Sequence, residues 1–567
     1  MKNLRRLLAL LLIATTMSLC LGGCASVETA KTTVIDSTKI TFDTLLGKVF
    51  AAKEKMEEEK TLEPMPTVAF MPLDSRPCNT QYPTLLLKAA GATLLTPPAS
   101  SLDSLSKSAD TNALWTWLWE EGLKADHVVI FTNTLFCGGL VASRSGGSYD
   151  NITENLNKLE EFCTYYKAEN PGSTVTVVQV LPRLVANQFD EDLYPYMEQL
   201  TAYGKSWDES AKNDQPIPDA IEGVPAEVLQ KYRAIHEKAF DCATSLNQFA
   251  ETDLIDELII SQDDGDTLCP ANITFRALED TKDEHTTLIH GADELGMIIL
   301  ANLIAGKEKT PVNVVYSSKS AAKTVYPYES VTLKENVAEK LALAGLKATD
   351  EDSHYTLYIH ADTADLDNTT DFIANTTNYL GIADVALTNK QDPALEEWLF
   401  DSTYYDNIDA YAAWNTAGNS IGTVCAVMRI ASIIDDRFKL LSDEERLTAC
   451  QSLYSFRAIR YSEDCIYMSN IRNDLTKKLE EEGLMEYTTV FTSDENWSTA
   501  TTKLNEAYGP YNTKLAGIFN GDHTLCFGQN TIAINVTDYT TTASFPWPRA
   551  FEILVQPQMN VSLLEEE

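Results

Sequence analysis

The 567-residue sequence is short of positive charge: 44 lysines and arginines stand against 83 aspartates and glutamates, for a net charge of −39. A chain that acidic repels nucleic acid phosphates and anionic lipid, so no nucleic acid is expected among its partners. No pair of cysteines has Cys-x-x-Cys spacing, so neither a zinc knuckle nor a redox pair is signalled. The Gly-x-Gly-x-x-Gly fingerprint, the phosphate loop, the Gly-x-Ser-x-Gly elbow and the His-Glu-x-x-His helix are all missing. Dinucleotide binding and the common nucleotide, esterase and zinc-protease chemistries therefore lose their sequence support. Beyond the N-terminus, no apolar run reads as long enough for a membrane helix.

What is there begins with an address. Lys2, Arg5 and Arg6 precede an apolar stretch from Leu7 to Leu21, and Leu21-Gly22-Gly23-Cys24 follows. A positive start, a short apolar centre and small residues at a cleavage point make a secretory signal. The Leu-Gly-Gly-Cys ending resembles a bacterial lipobox, which implies cleavage before Cys24 and a lipid on its thiol. An ordinary signal peptide with a chance cysteine is the alternative. The expectation is a protein of the bacterial cell envelope, lipid-anchored to the membrane on the extracytoplasmic side. Loss of residues 1–23 removes three basic and no acidic side chains, taking the net charge from −39 to −42. Nine cysteines remain after Cys20 and Cys24. Export permits disulfides without requiring them, and many of the nine read as small buried hydrophobes.

Residues 24–65 are polar and read as a tether or stalk. After them come short apolar runs separated by helical stretches: Val68–Leu73, Ala92–Thr96, His127–Thr132, Thr174–Leu181, Glu257–Ser261, Thr286–His290, Val312–Ser317, Tyr355–His360, Ile382–Thr388 and Ala410–Trp414. Unbroken apolar runs suit parallel strands covered on both faces, and their alternation with helices predicts an α/β fold. The expected architecture is two doubly wound, mainly parallel-sheet halves, 66–308 and 309–432, divided near Ala305–Asn313. A helical C-terminal part with terminal strands follows over 433–567. A (β/α) barrel with a C-terminal extension is the alternative.

In parallel α/β folds ligands lie beyond the carboxyl ends of the strands. Asp74 and Arg76 follow the first run, Asn133 and Arg144 the third, and Arg183 the fourth. Gln262, Asp263, Asp264 and Asp266 follow the fifth, and His290, Asp293 and Glu294 the sixth. The second half adds His360, Asp362, Asp384, Asn415 and Asn419. Neighbouring Asp263 and Asp264 repel at a strand end. Such a pair persists by binding a cation, by pairing with arginine, or by keeping one proton, which yields an acid and a base near neutral pH. A solvated acidic turn is the plain alternative. Asp293 or Glu294 could equally favour a helix N-terminus. Gly138-Gly139 reads as a tight turn bringing backbone close to something. Gly418, Gly422 and Ala426, four apart, read as a flat helix face for packing on a sheet. Asp263, Asp264, Asp74 and Glu294 are the catalytic candidates. Arg76, Asn133, Arg144, Arg183, Gln262, Asp293, Asn415 and Asn419 are the substrate-binding candidates.

Six segments, MPLDSRPCN, GGLVASR, SQDDGD, GADELGM, AAWNTAGNSIGT and FPWPRAFE, together resemble the landmarks of the bacterial domain-of-unknown-function family 4127. The resemblance runs from about Val68 to Glu552. It implies one continuous unit and supplies no catalytic residue.

Three functions fit these residues. The first is a hydrolase of a neutral, polyhydroxylated substrate, best a carbohydrate, using carboxylate acid/base residues, with Trp414 or Trp547 stacking on a sugar face. The second is a non-catalytic ligand-binding lipoprotein. The third is an enzyme with a carboxylate-bound divalent metal, to which His290 or His360 could add a ligand. No cofactor is expected, a divalent metal stays open, and the oligomeric state is not legible.

Overall fold

The β-branched runs TVAFM, HVVIF and TVTVVQVL become neighbouring strands of one sheet in the computed structural model of the chain. It describes residues 63–564 except 106, 146, 148, 283 and 487–489. The signal segment, Cys24 and the tether up to residue 62 lie outside the described residues. Six parallel strands form the first sheet: β1 (Thr67–Met71), β2 (Thr93–Leu95), β3 (His127–Phe131), β4 (Thr174–Leu181), β5 (Glu257–Gln262) and β6 (Thr286–His290). Their order is β2-β1-β3-β4-β5-β6. Five parallel strands form the second: β7 (Thr310–Tyr316), β8 (Leu346–Ala348), β9 (Tyr355–His360), β10 (Tyr379–Asp384) and β11 (Ala410–Ala412), in the order β11-β10-β9-β7-β8. Each half thus starts in the middle, steps one strand outward, and crosses back to wind the other way. Both sheets stay open, so the barrel alternative is set aside.

Side chains of the first sheet alternate between two cores, as a period of two demands. Ala69, Met71, Val128, Ile130, Val175 and Val177 face one core. Val68, Phe70, Val129, Phe131, Val178 and Val180 face the other, which runs on without a break through the second sheet and the C-terminal part. The helix Ala417–Arg437 lies in that shared core, buried from Ala417 to Ile434. Its extension, Ala417–Leu440, has a mean hydropathy of 1.4 and is long enough to cross a membrane. This corrects the reading that no later segment reaches that length, because scattered Asn, Ser and Thr break up an apolar helix to the eye. Arg429, near its middle, donates to the Thr310 hydroxyl (2.6 Å) and to the carbonyls of Gly306 and Glu308 (both 3.0 Å).

The C-terminal part is helical, as its charged periodicity predicts: Asp443–Arg460, Arg472–Glu481 and Asp494–Phe519 are α-helices. Between the first two, Tyr461–Ile471 winds as a π-helix, a form that occurs mostly as short bulges and often near functional sites. Three antiparallel strands close the chain: β12 (Gly521–Cys526), β13 (Thr531–Ser544) and β14 (Leu554–Leu563). All nine described cysteines are free thiols, seven of them buried.

Candidate active site

Register brings the strand ends level. Leu181 of β4 lies opposite Gln262 of β5, and Gln262 opposite His290 of β6. The residues that follow, Arg183, Asp263 and Gly291, therefore emerge together. They line a cavity of about 180 Å³ whose wall is completed by the loop after β1, the loop after β7, the start of the helix Ala417–Arg437 and the β13–β14 connection.

The loop after β1 holds its arginine between two acids. Arg76 Nε and Nη2 donate to Asp74 Oδ2 at 2.9 and 2.7 Å, and Nη1 and Nη2 donate to the two oxygens of Asp293 at 3.0 and 2.5 Å. The Arg76 amide and Asn79 Nδ2 also donate to Asp74, at 3.0 and 2.8 Å. Paired donors on a carboxylate fix orientation as well as charge. Burial pushes the Asp293 carboxyl upward against the opposing pull of Arg76. The Trp547 indole donates to Ser75 Oγ at 2.7 Å, and its ring lies 5.3 Å from the Arg76 guanidinium carbon. Beneath this loop, Asp103 accepts from the Ser75 amide at 2.8 Å, and burial together with Asp74 pushes its carboxyl up to about 8. Gly139, at φ +125°, is what the Gly-Gly turn brings close: a Cβ there would lie 2.8 Å from Asp103 Cγ.

The acidic pair after β5 meets two arginines. Asp263 is ion-paired with Arg144 and also accepts from the Asp264 amide at 2.8 Å. Asp264 lies 4.0 Å from Arg183 and keeps 27 % of its side chain open. Burial and the Asp263 charge, working against Arg183 and Arg144, push the Asp264 carboxyl up to about 7. The two acids thus stand in different environments, the condition for dividing acid and base roles. Gln262 donates to Ser330 Oγ at 2.8 Å, tying the first half to the loop after β7.

Glu294 and Asp74, expected in the cavity, are instead wholly buried behind it. Glu294 receives Lys340 Nζ at 2.8 Å and Asn419 Nδ2 at 2.7 Å. Burial alone would lower the Lys340 pKa, and Glu294, Glu339 and Glu329 together outweigh it. Neither Asp293 nor Glu294 caps the helix Leu295–Leu303 through its side chain; ion pairing explains both acids. Asn133 is also wholly buried, bonded to Ser143, Tyr149 and the Val180 backbone, and holds the loop after β3 to β4. The remaining substrate-binding candidates, Arg76, Arg144, Arg183, Gln262, Asp293, Asn415 and Asn419, do line the cavity.

Asn415 takes a left-handed backbone, φ +51°, and donates to Asn419 at 2.8 Å. Thr416 and Asn419 form a capping box, so Asn419 finishes the helix start and reaches a buried acid with the same side chain. Gly418 and Gly422 of that helix, expected to pack on a sheet, instead face Glu329, Asn336, Glu294 and Ile298. A Cβ at Gly422 would meet Glu294 Cβ at 2.9 Å, and the Gly418 amide donates to Glu329 at 2.7 Å.

Several wall residues escaped the sequence. Tyr328, Glu329 and Ser330 carry no motif. Trp414 and Trp547, expected to stack on a sugar, are both buried, Trp547 under the Arg76 and Arg549 guanidinium groups, and Arg549 and Phe551 carry no signal of their own in FPWPRAFE. Arg549 is held by Glu552 at 2.6–3.0 Å. A smaller cavity beside Arg76 and Asp293 is lined by Trp414 and by Glu463 of the π-helix, where Glu463 is bonded to Tyr82 and Arg460. His360 and Asp384 lie elsewhere, at the ends of β9 and β10. His360 meets Thr369 (2.7 Å) and Asp392 (3.0 Å), and Asp384 accepts from the Asp392 amide (2.9 Å). Asp266 is turned outward to Lys205 at 2.5 Å. Among the described residues, no three His, Cys, Asp or Glu side chains group as a metal site.

A family model described as a protein of unknown function, DUF4127, matches residues 68–556, which include every element lining the cavity. No curated protein and no solved structure matches the chain.

Proposed function

This chain belongs to the DUF4127 family of proteins of unknown function, and we propose that its cavity is the active site of a hydrolase acting on a carbohydrate. One arrangement carries the reading: Asp264 keeps 27 % of its side chain open to the cavity, burial and the Asp263 charge push its carboxyl up to about 7, and its neighbours Asp263 and Asp293 are each held by an arginine. Asp264 gives its proton to the oxygen of the leaving sugar as the glycosidic bond breaks. Asp293, raised by burial and fixed by Arg76, takes a proton from the water whose oxygen bonds to the anomeric carbon. Asp263 supplies the charge that keeps the proton on Asp264. Asp74 and Glu294 pass from reacting groups to supports, because neither reaches the cavity. Tyr328, exposed at the cavity wall, offers a ring face to a sugar, whereas Trp547 is fully buried. Carboxylate acid/base chemistry of this kind contributes about 10²–10⁴ in rate.

The same geometry favours a second reading, a binding lipoprotein, because Asp263 and Asp293 are gripped by guanidinium groups rather than left free. The purified protein incubated with a panel of chromogenic glycosides separates the two. Turnover lost in Asp264→Asn supports hydrolysis, whereas saturable sugar binding without turnover of any panel member supports the binding protein. Adding a chelator covers the divalent-metal alternative, since hydrolysis by carboxylates alone survives it. Anchoring through Cys24 belongs to the same proposal, and a lipidated Cys24 peptide in the mass spectrum of the membrane fraction is the expected result; an intact 1–23 peptide would count against it.

A further inference from the structure

We infer that the ligand of this cavity is an acidic carbohydrate, its carboxylate seated between Arg183 and Arg144. The inference rests on the carbohydrate reading above and changes the expected substrate from neutral to anionic.

Four arginines line the cavity, and three are closely matched. Arg76 is shared by Asp74 and Asp293, Arg549 is held by Glu552, and Arg144 by Asp263. Arg183 is matched only loosely. Among the described residues its nearest carboxylate is Asp264, at 4.0 Å, beyond hydrogen-bonding reach. Its Nε donates only to the Val185 carbonyl, at 3.2 Å. Arg144, for its part, has a buried Nε with no hydrogen-bond partner. Two guanidinium groups therefore share one wall with a single fully engaged acid between them.

Electrostatics points the same way. Burial and the nearness of Arg144 lower the Arg183 pKa to about 10, against the pull of Asp264 and Asp263, so Arg183 stays a cation at neutral pH. Its charge is incompletely compensated by an acid 4.0 Å away, and a planar carboxylate matches a guanidinium fork. The chain as a whole carries −39, so its distant field does not draw anions in. The arginines must act at contact, on a ligand whose remaining hydroxyls meet Asn415 and Ser330.

The test is calorimetric titration of the purified full-length protein with glucuronate and galacturonate, against glucose, galactose and acetate. The uronates should bind at least about tenfold more tightly than the neutral sugars and than acetate, the range expected for one charged hydrogen-bonded contact. Arg183→Met should erase most of that preference, and Arg183→Lys should restore part of it. Equal affinity for uronates and neutral sugars, or no binding of either, overturns the inference, as does acetate binding as tightly as the uronates. The comparison on the unaltered protein stands even if a variant fails to fold. Turnover of 4-nitrophenyl glucuronides and glucosides is followed in parallel. No turnover with the uronate preference intact sinks only the hydrolysis proposal. Turnover of neutral glycosides without that preference sinks only the acidic ligand.

Discussion

Replacing Asp263 by Asn should move the pH dependence of the proposed hydrolysis rather than simply weaken it. On that proposal Asp264 acts as the acid in its protonated form, and its carboxyl is pushed up to about 7 by burial and by the Asp263 charge. Two charges ~5 Å apart at an effective dielectric constant of ~20 interact by about 3 kcal/mol. Partial exposure of Asp264 reduces this, so loss of the Asp263 charge should lower the Asp264 pKa by about one to two units. Arg144, freed of its partner, pushes in the same direction. At pH 7 the protonated fraction then falls from about a half to between about a tenth and a hundredth, a loss of about five- to fiftyfold in kcat/KM. Assay at pH 5 to 6 should return most of it. The measurement is a pH–rate profile of both proteins on one glycoside that the unaltered protein cleaves. An alkaline limb left in place, with the rate reduced by one factor at every pH, would refute the role given to Asp263.

Other expectations concern stability. Asp264 has a folded-state pKa raised from 3.8 to about 7, so the unfolded chain releases that proton first and stability falls as pH rises through this window. Asp264→Asn should therefore be more stable than the unaltered protein at pH 8, by about 1–3 kcal/mol after allowing for exposure; the gain should vanish near pH 4 in thermal melts. Lys340→Met strands Glu294 in the core and should cost about 3–5 kcal/mol in urea unfolding, with Glu294→Gln on top recovering part of it. Gly422→Ala forces a methyl onto Glu294 and should destabilise by about 1–3 kcal/mol, measurable as a lower urea midpoint. Because all described cysteines are free thiols, reducing agent should leave the melting temperature unchanged.

The parallel strands were legible because they are buried on both faces and so read as unbroken apolar runs. Thr174–Leu181, Thr286–His290 and Tyr355–His360 match their expected limits to the residue. β10 runs Tyr379–Asp384 rather than Ile382–Thr388, because Val385, Ala386 and Leu387 continue the apolar pattern into a loop. β8 is three residues at a sheet edge and β12 is GDHTLC; neither is apolar enough to stand out. In the site, strand-end position picked out Arg76, Asp263, Asp264 and Asp293. It could not separate them from Asp74 and Glu294, because burial depends on partners that are remote in sequence. Lys340 belongs to a helix of the second half, and nothing near GADELGM announces it. The same holds for Arg549, which reaches the cavity from the last strand connection.

The buried arginine of the central helix has a consequence before folding. On the export proposed above, the chain crosses a translocation channel unfolded, when Ala417–Arg437 has none of its packing partners. A stretch of that length and hydropathy invites lateral escape into lipid and a protein stranded halfway. Arg429 near its middle opposes that step by about 2.5–3.5 kcal/mol. After folding, the same guanidinium closes the backbone turn ahead of β7 through the Gly306 and Glu308 carbonyls. Exchanging it for leucine would remove those bonds and, on the same export proposal, put the secretion of the chain at risk.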